Sequence, residues 1–341
     1  MKNISIFFSI MTLAFTLTAS GFAEELFFNI HPGAKTEAMG KTSSVTCDGM
    51  FSVSANPALL SRSENITVSV SRFSPYSSAE GYKYEGSEYN YAGAGFSLGS
   101  KLAFGLSMKD LSYGEDVELL DADSSFVANY EPFVKNYALN LTFRPTPFLS
   151  LGVGGNFYEL NNAKNAENEN NSAFSLDLGV QSVVNVQKGT SLRKKSSIGV
   201  AVKNAYGQEI EGQELPSIIS AGVEFALIPM VRNPLSSNLW LLFLTLNADY
   251  QSQMNGDHSK FSTGFEFLLT EMAALRCGYY RQEYEEDIKS ESEFTYGFGL
   301  NLPLYRLDIT DIPLKLSLNY VSVSAVENIS LTVSWMSKRD Y

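Results

Sequence analysis

Cysteine, histidine and tryptophan are scarce in this 341-residue chain, at two residues each. Cys47 and Cys277 stand too far apart, and are too few, for a disulfide framework or a four-ligand zinc site. His31 and His258 alone cannot build a His-rich centre, so no metal and no other cofactor is expected. Positive charge is also short: 25 Lys and Arg face 37 Asp and Glu, a formal net charge of −12. That balance excludes a general nucleic-acid binder, which needs a basic surface against phosphates. Charged residues make up 18% of the chain, below the roughly one quarter of ordinary soluble domains. Long hydrophobic runs are missing as well. After the first segment, the best apolar run is 239–246, too short to cross a bilayer as a helix. No G-x-S-x-G, H-E-x-x-H, P-loop or paired-Cys motif occurs. Gly152-Val153-Gly154-Gly155 falls within a strand pattern, not between a strand and a helix, so a dinucleotide site fails. An enzyme is not expected.

What is abundant is aromatic residues, with 23 Phe and 18 Tyr, and Gly, with 25. Residues 1–23 place Lys2 before an apolar run from Ile4 to about Leu17, and Gly21-Phe22-Ala23 fits a small-x-small cleavage site. They read as a secretory signal peptide, removed on export. From residue 66 onward, apolar residues recur with period two, as in strands with one apolar and one polar face. Phe294, Tyr296, Phe298 and Leu300 oppose Thr295, Gly297, Gly299 and Asn301; Ile329, Leu331, Val333 and Trp335 oppose Ser330, Thr332 and Ser334.

The pattern predicts fourteen strands at 66–73, 88–98, 101–112, 134–144, 147–159, 172–186, 196–203, 217–228, 238–250, 258–269, 272–284, 293–302, 314–323 and 327–335. Many run ten residues or more. Soluble strands average about five or six residues, whereas tilted membrane strands need about nine to eleven. Trp240 and Tyr250 share a face ten residues apart, about 23 Å of membrane normal, close to the apolar band of a membrane barrel. Two-residue turns are expected at Gly99-Ser100, Pro145-Thr146 and Thr270-Glu271. Long polar stretches lie at the opposite ends of the strands. With 251–257 included, those stretches carry eighteen acids against three Lys. The fold class that follows is all-β: a 14-stranded antiparallel transmembrane barrel over 66–341, monomeric, in the bacterial outer membrane.

Residues 24–65 do not alternate. Pro32-Gly33-Ala34-Lys35-Thr36-Glu37-Ala38-Met39-Gly40, followed by Asn56-Pro57-Ala58-Leu59-Leu60, resembles the opening of FadL-type outer-membrane proteins. Their N-terminal segment often reads G-A-R-x-x-G-M-G and is followed by a W-N-P-A-G-L-like motif. Lys35 stands where Arg is frequent, Ser54-Ala55 where an aromatic commonly precedes the Asn, and Leu59 where Gly follows. That superfamily includes long-chain fatty-acid transporters, aromatic-hydrocarbon channels, the PorV/PorQ proteins of type IX secretion and uncharacterised treponemal proteins. The resemblance implies that residues 24–65 fold inward as a luminal hatch, with Gly33, Gly40, Asn56, Pro57 and Ala58 as its motif. It also implies uptake of a hydrophobic or amphipathic small molecule; the alternative is a PorV-type protein that binds or shuttles exported proteins.

Alternation places Lys109, Arg144, Asp177, Gln181, Lys203, Glu224, Asp249, Glu266, Arg276 and Lys315 on the luminal face, either pairing with the hatch or lining a wet path. Leu239, Leu241 and Phe243 share that face and form a candidate luminal ligand patch or a packing surface for the hatch. Cys277 shares its face with Leu275 and Tyr279 and is expected to meet lipid.

Overall fold

The computed structural model describes residue 27 and residues 30–75, 87–112, 117–120, 126–130, 133–161, 171–188, 192–210, 213–229, 232–233, 236–240, 242–254, 258–283, 290–304, 307, 313–323 and 326–335. The expected leader, 1–23, lies outside the described residues.

Among the described residues, fourteen strands close a barrel in which every neighbouring pair is antiparallel. In chain order they are β1 (Ile66–Phe73), β2 (Glu88–Leu98), β3 (Leu102–Ser112), β6 (Phe133–Thr146), β7 (Leu149–Asn161), β8 (Ser172–Lys188) and β9 (Leu192–Gly207). The circuit continues through β12 (Ile218–Pro229), β15 (Leu242–Gln253), β16 (Ser259–Leu269), β17 (Ala273–Glu283), β18 (Glu291–Pro303), β19 (Leu314–Val323) and β20 (Val326–Trp335). Pairing of Ile66 with Trp335 and of Arg72 with Ile329 closes it. Closure leaves no sheet edge, so each strand can satisfy its backbone groups inside a bilayer. Three two-stranded ribbons sit in the connections: β4 (Val117–Leu120) with β5 (Phe126–Tyr130), β10 (Glu209–Ile210) with β11 (Gln213–Glu214), and β13 (Arg232–Asn233) with β14 (Ser236–Trp240).

Burial alternates along the strands in step with the sequence. In β1 it runs exposed-buried four times over, with Ile66, Val68 and Val70 outward and Thr67, Ser69 and Ser71 inward. The exposed face is apolar and the buried face largely polar, inverting the order of a water-soluble protein. Eleven-residue strands such as β2 and β3 span about 25 Å of normal at a tilt near 40°, the height of a membrane barrel's apolar band. Exposed aromatics gather toward both rims: Phe143, Phe148 and Trp335 toward one, Phe157, Tyr206, Tyr250 and Phe294 toward the other. The molecule is therefore built to stand in a bilayer.

Several connections depart from expectation. The turns expected at Gly99-Ser100 and Thr270-Glu271 hold three residues each, because Leu98 pairs with Leu102 and Leu269 with Ala273. β6 runs on to Thr146, so the turn is Pro147-Phe148 and not Pro145-Thr146. Pro145 has no N–H for the ladder; the register jumps there and pairing resumes at Thr146 with Leu149. The expected strand 238–250 is divided. Trp240 belongs to the β13–β14 ribbon, where it pairs with Arg232, and the barrel strand begins at Leu242. Asn233-Pro234 is a turn signal in the sequence, and it falls between the two strands of this ribbon. The ruler from Trp240 to Tyr250 therefore does not lie on one strand.

Candidate luminal site

The inward face changes character along the barrel. From the short-turn rim to mid-height it carries Ser, Thr, Asn and Gly, among them Thr67, Ser69, Asn140, Thr142, Ser150 and Ser175. At the long-loop rim it becomes apolar. Strand register aligns Phe73 with Tyr89, Tyr89 with Leu111, Leu111 with Val134, and Val134 with Leu160 in one continuous buried row. Ile210 and Leu215, from the β10–β11 connection, join the same apolar cluster. Its aromatic rings interlock: Phe73 and Tyr89 lie 4.9 Å apart by centroid, and Phe27 packs at 6.3 Å on Tyr89 and edge-on at 6.5 Å on Tyr158. Such pairs contribute about 0.5–1.5 kcal/mol beyond area burial.

The next inward row toward mid-height runs Ser71, Tyr91, Lys109, Asn136, Tyr158, Ala173. It sets the Lys109 ammonium beneath the apolar row. Lys41, Lys203 and Lys260 act with Lys109 on His31, so five basic side chains share this level. Burial, and then the lysines led by Lys260, hold the His31 imidazole well below its usual value. A neutral imidazole suits the geometry, because its Nε2 lies 3.3 Å from the Lys260 Nζ and can accept from it. The His31 backbone N–H donates to Glu37, whose carboxyl burial pushes up despite Lys41 and Lys260. Asp177, Glu37 and Asp249 are the acids set among these cations.

The N-terminal segment packs against inward-facing residues of the barrel strands. A five-residue helix α1 (Ala34–Ala38) lies against β17 to β20, and 3₁₀ turns at Gly49–Ser54 and Pro57–Arg62 lie against β1 to β3 and β6 to β8. One helical turn of this length cannot stand alone in water, so the barrel wall supports it. Gly33 precedes α1 as its N-cap, and a Cβ there would strike Asp48 and Phe51. Gly40 takes φ +68°, which favours glycine, and its N–H donates to Thr295 at 2.9 Å. The Asn56 side chain accepts from Ala58 N–H and donates to Ser44 O at 2.9 Å and Val180 O at 3.4 Å, while Pro57 opens the following turn. Pro57 O accepts from Thr142, and Pro57-Ala58 sits where a Cβ on Gly152 would fall.

Charged groups tie the same segment to the wall. Lys35 pairs with Glu266 at 3.2 Å, and Glu266 also takes Arg276 at 2.6 Å. Arg62 pairs with Glu224 at 2.9 Å; burial alone would weaken this guanidinium's hold on its proton, but the charge and hydrogen bond of Glu224, with a contribution from Cys47, strengthen it on balance. Asp249 accepts from the Ser43 and Ser44 backbone and from the Ser44 hydroxyl. Removing one member of such a buried pair costs about 3–5 kcal/mol. Of the luminal charges read from alternation, Glu224, Asp249, Glu266 and Arg276 thus belong to this network, while Lys109 and Lys203 belong to the basic level beside the apolar row.

Leu239 lies in β14 of the short ribbon and Phe243 in β15, while Leu241 is outside the described residues. Leu239 and Phe243 therefore lie on two different strands. The row from Phe73 to Leu160 escaped the sequence reading because each strand contributes one residue to it. Its signal is an apolar residue on the otherwise polar face at each long-loop strand end. Cys277 is exposed on the outer face. Among the described residues, no three His, Cys, Asp or Glu side chains converge as metal ligands.

No known protein-family profile matches the chain, and no curated protein does. Among solved structures it is similar to the toluene transporter TodX of Pseudomonas putida, at 11% identity over 90% of this chain and 97% of that one, TM-score 0.45. It is also similar to the toluene transporter TbuX of Ralstonia pickettii, at 12% identity over 91% and 100%, TM-score 0.42. A third similar structure is a Pseudomonas aeruginosa FadL homologue, at 9% identity over 88% and 97%, TM-score 0.43.

Proposed function

We propose that the chain is an outer-membrane channel for uptake of hydrophobic or amphipathic small molecules, with residues 24–65 as a hatch in its lumen. The long-loop rim is the outer one by the rule that long loops face outside and both termini inside. The observation that carries the proposal is the inward apolar row Phe73–Tyr89–Leu111–Val134–Leu160, placed at that rim and followed inward by Lys109 and the N-terminal segment. A channel for hydrophilic solutes gains nothing from an apolar mouth. An amphipathic molecule gains a desolvated bed for its tail, worth about 25 cal/mol per Å² buried, and a cation for an anionic or polar end. The motif residues Gly33, Gly40, Asn56, Pro57 and Ala58 hold the hatch by close backbone approach and hydrogen bonds. No observation among the described residues favours the exported-protein alternative.

The test is uptake of 1-N-phenylnaphthylamine, a neutral apolar probe that fluoresces after crossing the outer membrane. Host cells displaying the protein should take it up several-fold faster than cells displaying Leu111→Asp, with equal amounts of heat-modifiable barrel in both. Equal rates would remove the apolar row from the transport path and overturn the proposal.

A further inference from the structure

The outer face of the barrel carries a concavity of about 450 Å³ where β1, β2, β3 and β20 adjoin. That volume lies within the ~300–1,000 Å³ of small-molecule sites, yet it opens toward the bilayer. Register explains its shape. One outward row aligns Leu331, Val70, Ala92 and Met108, so the smallest member stands between larger neighbours. The next outward row toward the short turns aligns Val68, Ala94 and Leu106, again with an alanine of β2 between larger neighbours. Phe96, stacked on Phe104 at 5.3 Å, stands at the far end of this alanine furrow.

In the neighbouring row toward the long loops, Ile329 is followed by the polar residues Arg72, Asn90 and Asp110. Apolar outward residues on β1 give way to charge between Val70 and Arg72, which sets the headgroup level on this side. Arg72 pairs with Glu88 there and keeps further N–H donors on its fork. One guanidinium with two carboxylates, Glu88 and Asp110, complements a headgroup that carries both signs. A phosphate would accept from Arg72, and an ammonium would donate to the carboxylates. A headgroup with phosphate alone would face two acids with nothing to offer them.

We infer that this furrow is a binding site for one zwitterionic phospholipid, with an acyl chain along Ala92 and Ala94 and a phosphoethanolamine headgroup at Arg72, Glu88 and Asp110. The lipid fills the dent on the outer wall behind Tyr91 and Ser71, whose side chains face the lumen. It thereby stiffens the wall that carries Phe73, Tyr89 and Leu111.

Native mass spectrometry of the full mature chain, delipidated in detergent and then given equal dioleoyl phosphatidylethanolamine and dioleoyl phosphatidylglycerol, tests the site. The protein should keep one phosphatidylethanolamine through activation that strips phosphatidylglycerol, with a preference of roughly tenfold, about one charge-assisted hydrogen bond. Ala92→Phe, which fills the furrow from the lipid side, should lose the retained lipid while keeping heat-modifiable migration. Arg72→Gln should lower retention and erase the headgroup preference. Equal retention of both lipids by the unaltered protein, or retention unchanged in Ala92→Phe, would overturn the inference.

Discussion

Single glycines decide how closely the N-terminal segment can meet the barrel wall. Gly152 and Gly155 stand three positions apart on β7 but face different surroundings. A Cβ on Gly152 would fall on the Pro57-Ala58 backbone, whereas one on Gly155 would meet only the Phe174 ring, at 3.5 Å. Backbone cannot swing aside as a side chain can, so Gly152→Ala must displace the Asn56-Pro57-Ala58 turn; overpacking of this kind costs about 1–3 kcal/mol. Gly152→Ala should give frequent open bursts in planar-bilayer recordings, and Gly155→Ala should record like the unaltered protein. The same recording from both variants would show that this turn does not close the path. At this scale the sequence was partly legible. Gly33, Gly40 and Asn56-Pro57-Ala58 stood out as motif residues, but the glycines that receive them did not. Gly152 looks like any strand glycine until Ala58 is placed against it.

Elements carry the pH dependence. His31 leads into α1 and is surrounded by Lys41 from its own segment, Lys109 from β3, Lys203 from β9 and Lys260 from β16, with Glu37 on its backbone N–H. Because its docked form holds a proton less readily than the usual value of about 6.5, its contribution to docking is complete above that value. It is lost as pH falls from about 6.5 toward the lowered value, since the released segment binds a proton that the docked one refuses. Glu37 acts with the opposite sign: burial raises it, so the docked form takes up its proton first as acid is added. Conductance should therefore rise on acidification below about pH 6.5, and His31→Asn, which keeps an acceptor for Lys260 and cannot titrate there, should flatten the rise. An identical pH profile in both proteins would exclude His31 as the responsive group.

The strands themselves were largely legible, because a bilayer outside and a polar segment inside impose opposite preferences on alternate residues. β1, β2 and β19 match the sequence reading at both ends. The β13–β14 ribbon was hidden because residues 239–246 are mostly apolar and give no phase from which to place a break. The apolar luminal row and the ion pairs were hidden for another reason. Lys35 meets Glu266, and Phe73, Tyr89, Leu111, Val134 and Leu160 fall into one row, only once the strands are paired.

At the scale of the whole molecule, the wall and its contents are held by different forces. Continuous antiparallel pairing supplies the wall with its own hydrogen bonds, from β1 around to β20. The N-terminal segment depends on the wall, through the pairs Lys35–Glu266 and Arg62–Glu224 and the Asp249 bonds to Ser43 and Ser44. The wall should therefore outlast the segment's removal, while the lumen should not stay closed. The most direct measurement is single-channel conductance of a barrel lacking residues 24–65 beside that of the full protein, both with matching β-sheet circular dichroism. A large, steady rise in conductance on deletion is the expected result. A folded deletion barrel that conducts no more than the full protein would contradict the account, because the path would then be closed by the strands or the loops and not by the N-terminal segment.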